Sequence, residues 1–205
     1  MGMGFDQHVT VFLLVGPKGA GKTTVLKRMY ERNPSRVAYI PSESLFLKAR
    51  DAHAAAADDA AATENIYAEN GASWVDAAYD LISEAIAAAA ADGRELVVCE
   101  STGTPPQFAA FVRRATAAYD DVYLAHMSAP LETCAARIAQ RDSAGHLPAA
   151  RELVDSVHAA SAALLTAPDS GLPPFYLALN SEHLDADACA DACYERLAGI
   201  YAGRI

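Results

Sequence analysis

Cysteine is scarce in this sequence, tryptophan occurs once, positive charge is in deficit, and no long apolar run is present. The four cysteines, Cys99, Cys134, Cys189 and Cys193, are spread over 205 residues and form no CxxC pair. A disulfide framework or a zinc site is therefore not expected; buried free thiols in a reducing, cytoplasmic setting are. The first apolar run, residues 9–15, falls well short of the ~20 residues that cross a bilayer. It has no basic stretch before it and no cleavage-type tail after it, so a signal peptide is not expected either. The alanine-rich tracts at 54–57 and 85–91 are flanked by acids and favour helix over lipid. Sixteen basic residues face 26 acidic ones, for a formal net charge of −10. A general electrostatic grip on nucleic acid starts at a disadvantage, although a local basic groove is still allowed.

The chain is 52% apolar, with 46 alanines among those residues. The larger apolar residues that remain suffice for one ordinary core and exclude a disordered chain. The length suits one domain, 1–205. Residues 9–15 are continuous, apolar and β-branched, and end in glycine, which predicts a strand buried on both faces and hence central and parallel. Similar short runs recur at 36–40, 96–99, 122–125 and 175–179. Helix-length segments lie between them, at 23–32, 44–62, 73–91, 105–118, 131–141, 149–165 and 186–202. Loops are expected at 63–71, 142–148 and 167–174, where Gly, Pro and Asn cluster. Alternating strands and helices predict an α/β fold with helices on both faces of a parallel sheet.

One motif carries chemistry. Gly16-Pro17-Lys18-Gly19-Ala20-Gly21-Lys22-Thr23 fits GxxxxGK[ST] without a mismatch, between a buried strand and a helical segment. Its glycines let the backbone curl so that several N–H groups face phosphate oxygens, and the next helix adds its N-terminal partial charge. Lys22 can reach the β and γ phosphates, and the Thr23 hydroxyl can ligate Mg²⁺. Thr24 completes the nucleotide-binding stretch. Lys18 reads as a solvated, variable position within it.

On this loop, on acids after the second and third strands, and on a later segment with two arginines, the chain resembles the small P-loop kinases. These include adenylate, gluconate and shikimate kinases and the zeta-toxin kinases. The resemblance implies a three-layer P-loop NTPase sandwich with five parallel strands in the order 2-3-1-4-5 and a short lid at about 131–148. It implies ATP and Mg²⁺ as cofactors. It also implies that Arg137 lies near the base, Arg141 near the transferred phosphates and Asn180 near the adenine. Arg137 and Arg141 are four residues apart, so one helical face could bring both to one anion. Glu100 follows the third strand in Glu100-Ser101-Thr102, similar to the Glu-x-Thr of zeta-toxin kinases. It is a candidate for Mg²⁺ or for the acceptor. Glu43, after the second strand, is a candidate general base; a helix N-terminal charge is its plainer role. Lys48, Arg50, Arg113, Arg114 and His146 are weaker acceptor-site candidates. Trp74, Tyr67 and Tyr79 read as core.

The expected activity is transfer of the ATP γ-phosphate to a hydroxyl of a small or nucleotide-like acceptor, because two acids offer a base that a phosphate acceptor does not need. The rivals are a nucleoside monophosphate kinase, a kinase of a nucleic-acid hydroxyl, and a non-catalytic ATP sensor or switch. No NKxD motif supports a translation-type GTPase, and a ring-forming ATPase would normally need a second subdomain. No membrane partner is expected, and the chain would act as a monomer or homodimer.

Overall fold

The computed structural model describes residues 8–57, 74–103, 107–141, 147, 150–165 and 172–202. The strands are β1 (Thr10–Val15), β2 (Val37–Ile40), β3 (Leu96–Ser101), β4 (Asp121–Ser128) and β5 (Phe175–Asn180). The helices are α1 (Lys22–Arg32), α2 (Ser42–Ala57), α3 (Val75–Ala91), α4 (Phe108–Ala118), α5 (Leu131–Ala139), α6 (Arg151–Ala163) and α7 (Ala186–Ala202). All strands are parallel, in the order β2-β3-β1-β4-β5. This is the three-layer P-loop sandwich expected from the sequence.

β1 is buried at every position and lies at the centre, as its unbroken apolar pattern requires. Its side chains alternate between two cores. Val11, Leu13 and Val15 pack with α2, α3 and α4 through Phe46, Trp74, Tyr79, Ile82, Phe108 and Phe111. Phe12 and Leu14 face α1 and α7, where Val25, Leu26, Met29, Cys189, Cys193 and Leu197 sit. Tyr79 stacks on Phe111 at 4.9 Å between ring centroids and meets Phe46 edge-on at 5.2 Å. Trp74 and Tyr79 are core residues; Tyr67 lies outside the described residues.

All four cysteines are free and buried, and burial pushes their thiols up, Cys193 to about 12. Among the described residues, no helix is long and apolar enough to cross a membrane.

Several boundaries differ from the expectation. β3 runs on to Ser101, so Glu100 is a strand residue, paired in register with Leu14, rather than the first residue of a loop. β4 continues to Ser128, because its central position rewards burial of His126 and Met127 on both faces. α2 starts at Ser42, so Glu43 lies in its first turn. α5 ends at Ala139 with Gln140 as cap, two residues before Arg141. Arg137 and Arg141 therefore do not share a helical face. Of the expected lid, 142–146 and 148 lie outside the described residues, and His146 with them.

Candidate functional site

The phosphate loop leaves β1 at Val15 and curls back into α1. Gly16 N–H donates to the Ser101 carbonyl at 3.1 Å, which ties the loop to the end of β3. Gly16 also sits hard against β4: a Cβ there would lie 2.0 Å from the Met127 carbonyl oxygen. Gly19 has φ +86° and would place a Cβ 2.5 Å from the Cys134 carbonyl of α5. Only glycine meets both the space and the backbone conformation at that point.

Lys22 opens α1 and is buried. Its ammonium donates to the Gly16 and Pro17 carbonyls at 2.8 and 3.0 Å. Burial pushes its pKa down, and the nearby Glu100 and Glu43 carboxylates oppose that shift. The Thr23 hydroxyl donates to both oxygens of Glu100, at 2.8 and 2.9 Å. Glu100 also accepts from the Tyr39 hydroxyl at 3.3 Å, and its backbone N–H donates to Ser42 Oγ at 3.3 Å. Burial, with Glu100 beside it, keeps the Tyr39 phenol protonated. Thr23 and Glu100 are hard oxygen donors, one of them anionic, and so suit Mg²⁺. Each would contribute an oxygen to the ion.

A cavity opens over this group. It is lined by Lys18, Gly19, Gly21, Lys22 and Thr23 from the loop, Ser42, Glu43 and Phe46 from α2, Glu100, Ser101 and Thr102 from β3, and Arg141 and Leu147 from the α5–α6 connection. It lies beyond the carboxyl ends of the strands, where an open parallel sheet binds ligands. Of the sequence candidates, Lys18, Gly19, Gly21, Lys22, Thr23, Glu43, Glu100 and Arg141 meet here. Gly16, Pro17 and Ala20 support the loop from behind. Thr24 is exposed on α1, with its N–H donating to the Gly21 carbonyl.

Arg137 and Asn180 stand outside the cavity. The Arg137 guanidinium donates to the carbonyls of Gly19 (3.3 Å) and Ala20 (3.2 Å), to Ser181 Oγ (3.0 Å) and to the Ser181 carbonyl (3.3 Å). It braces the loop against the β5–α7 turn. The Asn180 side chain accepts from Glu182 N–H at 2.9 Å, within that turn.

The weaker acceptor candidates are elsewhere. Lys48 lines a separate groove between α2 and α3. Arg50 pairs with Asp51 at 2.7 Å and Arg114 with Asp80 at 3.2 Å, and Arg113 is exposed.

Sequence reasoning missed three contributors and misjudged a fourth. Tyr39 and Leu147 fell within an expected strand and loop, Ser42 was not singled out, and Lys18, placed in the nucleotide-binding stretch, was read as solvated. The Lys18 side chain is 12% exposed; its ammonium donates to the Leu147 carbonyl and lies 3.2 Å from Glu43. Burial pushes its pKa down, and Glu43 opposes that shift. No local signal announces these roles, because every partner is distant in the chain.

Residues 11–168 match the profile of a family described as an AAA domain. The chain belongs to that family. No curated protein matches it in sequence. Solved structures share its fold. A sugar kinase from Janibacter sp. HTCC2649 is 18% identical, with TM-score 0.59, covering 92% of this chain and 94% of its own. A gluconokinase from Sinorhizobium meliloti 1021 is 15% identical, with TM-score 0.59, covering 95% and 97%. A deoxyadenosine kinase from M. mycoides with bound dATP is 12% identical, with TM-score 0.56, covering 92% and 99%. The resemblance to small P-loop kinases holds at the level of the fold.

Proposed function

We propose that this chain is a kinase that transfers the γ-phosphate of ATP to a hydroxyl of a small, non-phosphorylated acceptor. The observation that supports it most is the make-up of the cavity. The phosphate loop, its lysine and Arg141 share one space with Glu43, whose carboxylate lies on the α2 side beside Phe46.

Phosphoryl transfer asks a protein for positioning and charge neutralisation. The loop amides and Lys22 hold the β and γ phosphates, and Arg141 faces the transferred group. Thr23 and Glu100 hold Mg²⁺, which when bound spreads the negative charge of the phosphates. The acceptor sits between Phe46, Thr102 and Glu43. Its hydroxyl oxygen bonds to the γ-phosphorus, the bond from that phosphorus to the bridging oxygen of ADP breaks, and the hydroxyl proton passes to the Glu43 carboxylate. Glu43 is the better base by position: Glu100 bonds Thr23 and Tyr39, whereas Glu43, though paired with Lys18, enters the cavity from α2 with Phe46.

The charge inventory argues against a nucleoside monophosphate acceptor. Of the sixteen Lys and Arg residues, all but Arg204 lie among the described residues. Only Lys18, Lys22 and Arg141 line the cavity, and Lys18 is paired with Glu43. The two that remain are needed by ATP, which leaves no fork of arginines for an acceptor phosphate. A ring-forming ATPase is less well supported too, since the fold of this chain accounts for 94% and 97% of a sugar kinase and a gluconokinase.

A metabolite screen for ADP release tests the reading. Stimulation by one or a few neutral alcohols is the expected result. Stimulation by nucleoside monophosphates alone, or tight ATP binding with no stimulated turnover, would overturn it.

A further inference from the structure

Lys18 is a cation with a partner on each side. It belongs to the phosphate loop, yet its ammonium reaches across to Leu147 and Glu43. It donates to the Leu147 carbonyl at 2.5 Å and pairs with Glu43 Oε1 at 3.2 Å. The Leu147 N–H in turn donates to the same Glu43 oxygen at 3.1 Å. Both backbone polar groups of Leu147 are thus held by one ion pair, and the Leu147 side chain packs against the α2–α3–α4 core. Three segments far apart in sequence close on one point: the loop after β1, the first turn of α2, and the connection between α5 and α6. That connection also carries Arg141 into the cavity.

The arrangement has a physical logic. A half-buried carboxylate has lost part of its hydration, and a nearby counter-charge offsets that loss. Lys18 supplies that charge. It also satisfies a carbonyl that would otherwise face a narrowing, desolvated space. The pair therefore holds the Glu43 carboxylate and the Leu147 backbone in one geometry. An ordinary P-loop needs no lysine at this position, because Lys22 already serves the phosphates.

We propose that Lys18 is a positioning residue: with Glu43 it latches the Leu147 backbone onto the phosphate loop, and so aligns the base. The effect on turnover rests on the kinase reading above. The latch itself does not, because it can be read without any acceptor.

The test uses the full chain with Lys18→Met, which keeps the apolar stem and removes the ammonium, and Lys18→Arg, which keeps two donors. Hydrogen exchange at the Leu147 amide and the Kd of a non-hydrolysable ATP analogue are measured in each. Once an acceptor is known, kcat and acceptor KM are added. Lys18→Met is expected to speed Leu147 exchange by at least about tenfold and to change the analogue Kd by less than about threefold. It should lower kcat and raise acceptor KM. Lys18→Arg should restore most of the protection. If the kinase reading is wrong, the exchange result stands while no hydroxyl compound is phosphorylated. Unchanged Leu147 exchange in Lys18→Met, whether or not the analogue Kd rises, would overturn the latch.

Discussion

Arg137 supports a prediction with a magnitude. Its guanidinium makes four hydrogen bonds of 3.0–3.3 Å to Gly19, Ala20 and Ser181. A hydrogen bond to a charged group contributes about 1.5–3 kcal/mol net when its partner is left unsatisfied, and less where water can replace it. The side chain is only half-buried, so the Gly19 and Ala20 carbonyls would be partly rehydrated in Arg137→Ala. The four bonds also share one group and are not additive. The expected loss of stability is therefore about 2–3 kcal/mol, the worth of one or two such bonds and well below the sum of four. Arg137→Lys keeps the charge, but an ammonium cannot span the loop and Ser181 together, so about half that loss is expected. Because the braced carbonyls belong to the loop that cradles phosphate, part of the loss should reappear in nucleotide affinity. If half of it is repaid on binding, Kd rises roughly tenfold, since 1.4 kcal/mol is a factor of ten. Urea unfolding with unchanged slope, alongside calorimetric titration with an ATP analogue, measures both. A base-stacking role predicts a different pattern, with weakened binding of ATP but not of inorganic triphosphate, and unchanged stability. That pattern, or Arg137→Ala at wild-type stability and affinity, would refute the brace.

The remaining predictions are shorter. Lys22→Ala should nearly abolish phosphoryl transfer with the fold intact, because contacts to the β/γ phosphates act most strongly in the transition state; near-normal kcat would remove the loop from catalysis. Glu43→Gln should cut kcat by roughly 10²–10⁴ with little change in ATP affinity, whereas Glu100→Gln should be partly rescued by raised Mg²⁺. The roles are reversed if Glu100→Gln stays inactive at every Mg²⁺ concentration while Glu43→Gln remains within a few-fold of wild type. Gly19→Ala should cost more than about 2 kcal/mol in denaturant unfolding, given its positive φ and a backbone oxygen 2.5 Å from the new Cβ. Gly199→Ala, with nothing within 4 Å inside α7, should instead stabilise by about 1 kcal/mol. Burial holds the His126 imidazole below its ordinary pKa, so its protonation favours the unfolded chain. The stability it contributes is present above about pH 6.5 and is lost as pH falls below that, so Tm should drop more steeply with acid in wild type than in His126→Gln; parallel profiles would contradict this.

Much of the fold was legible because its signals are local. The unbroken 9–15 run announced a central strand, and the strand-glycine-helix context announced the loop. Boundaries were less legible. Nothing in Ala139-Gln140-Arg141 forbids helix, yet α5 stops and Arg141 turns into the cavity, because its surroundings lie on other elements. The same reason hid Lys18, whose acceptor carbonyl is 129 residues away. Local spacing placed Arg137 and Arg141 at one anion; the fold separates them, with Arg137 bonded to Gly19, Ala20 and Ser181 and Arg141 lining the cavity. Asn180 was read from family likeness alone, and its side chain is spent on its own turn.

The two carboxylates also bear on the choice between an enzyme and a sensor. A site evolved only to hold ATP gains nothing from acids beside its phosphates, since each repels the triphosphate at short range in a partly dry cavity. Glu100 and Glu43 nevertheless stand there, and the structure invests in both. Thr23, Tyr39 and Ser42 position Glu100, while Lys18 and Leu147 hold Glu43. Glu100 offsets its repulsion if it carries a divalent cation, which a sensor could also use. Glu43 instead sits in the first turn of α2, where it pairs with Lys18 and accepts from the Leu147 N–H. An anion whose cost recurs at every nucleotide-binding event is retained where it performs a step that nucleotide binding does not require. On the proposed reading, accepting a proton from an attacking hydroxyl is such a step, and water is then the competing nucleophile.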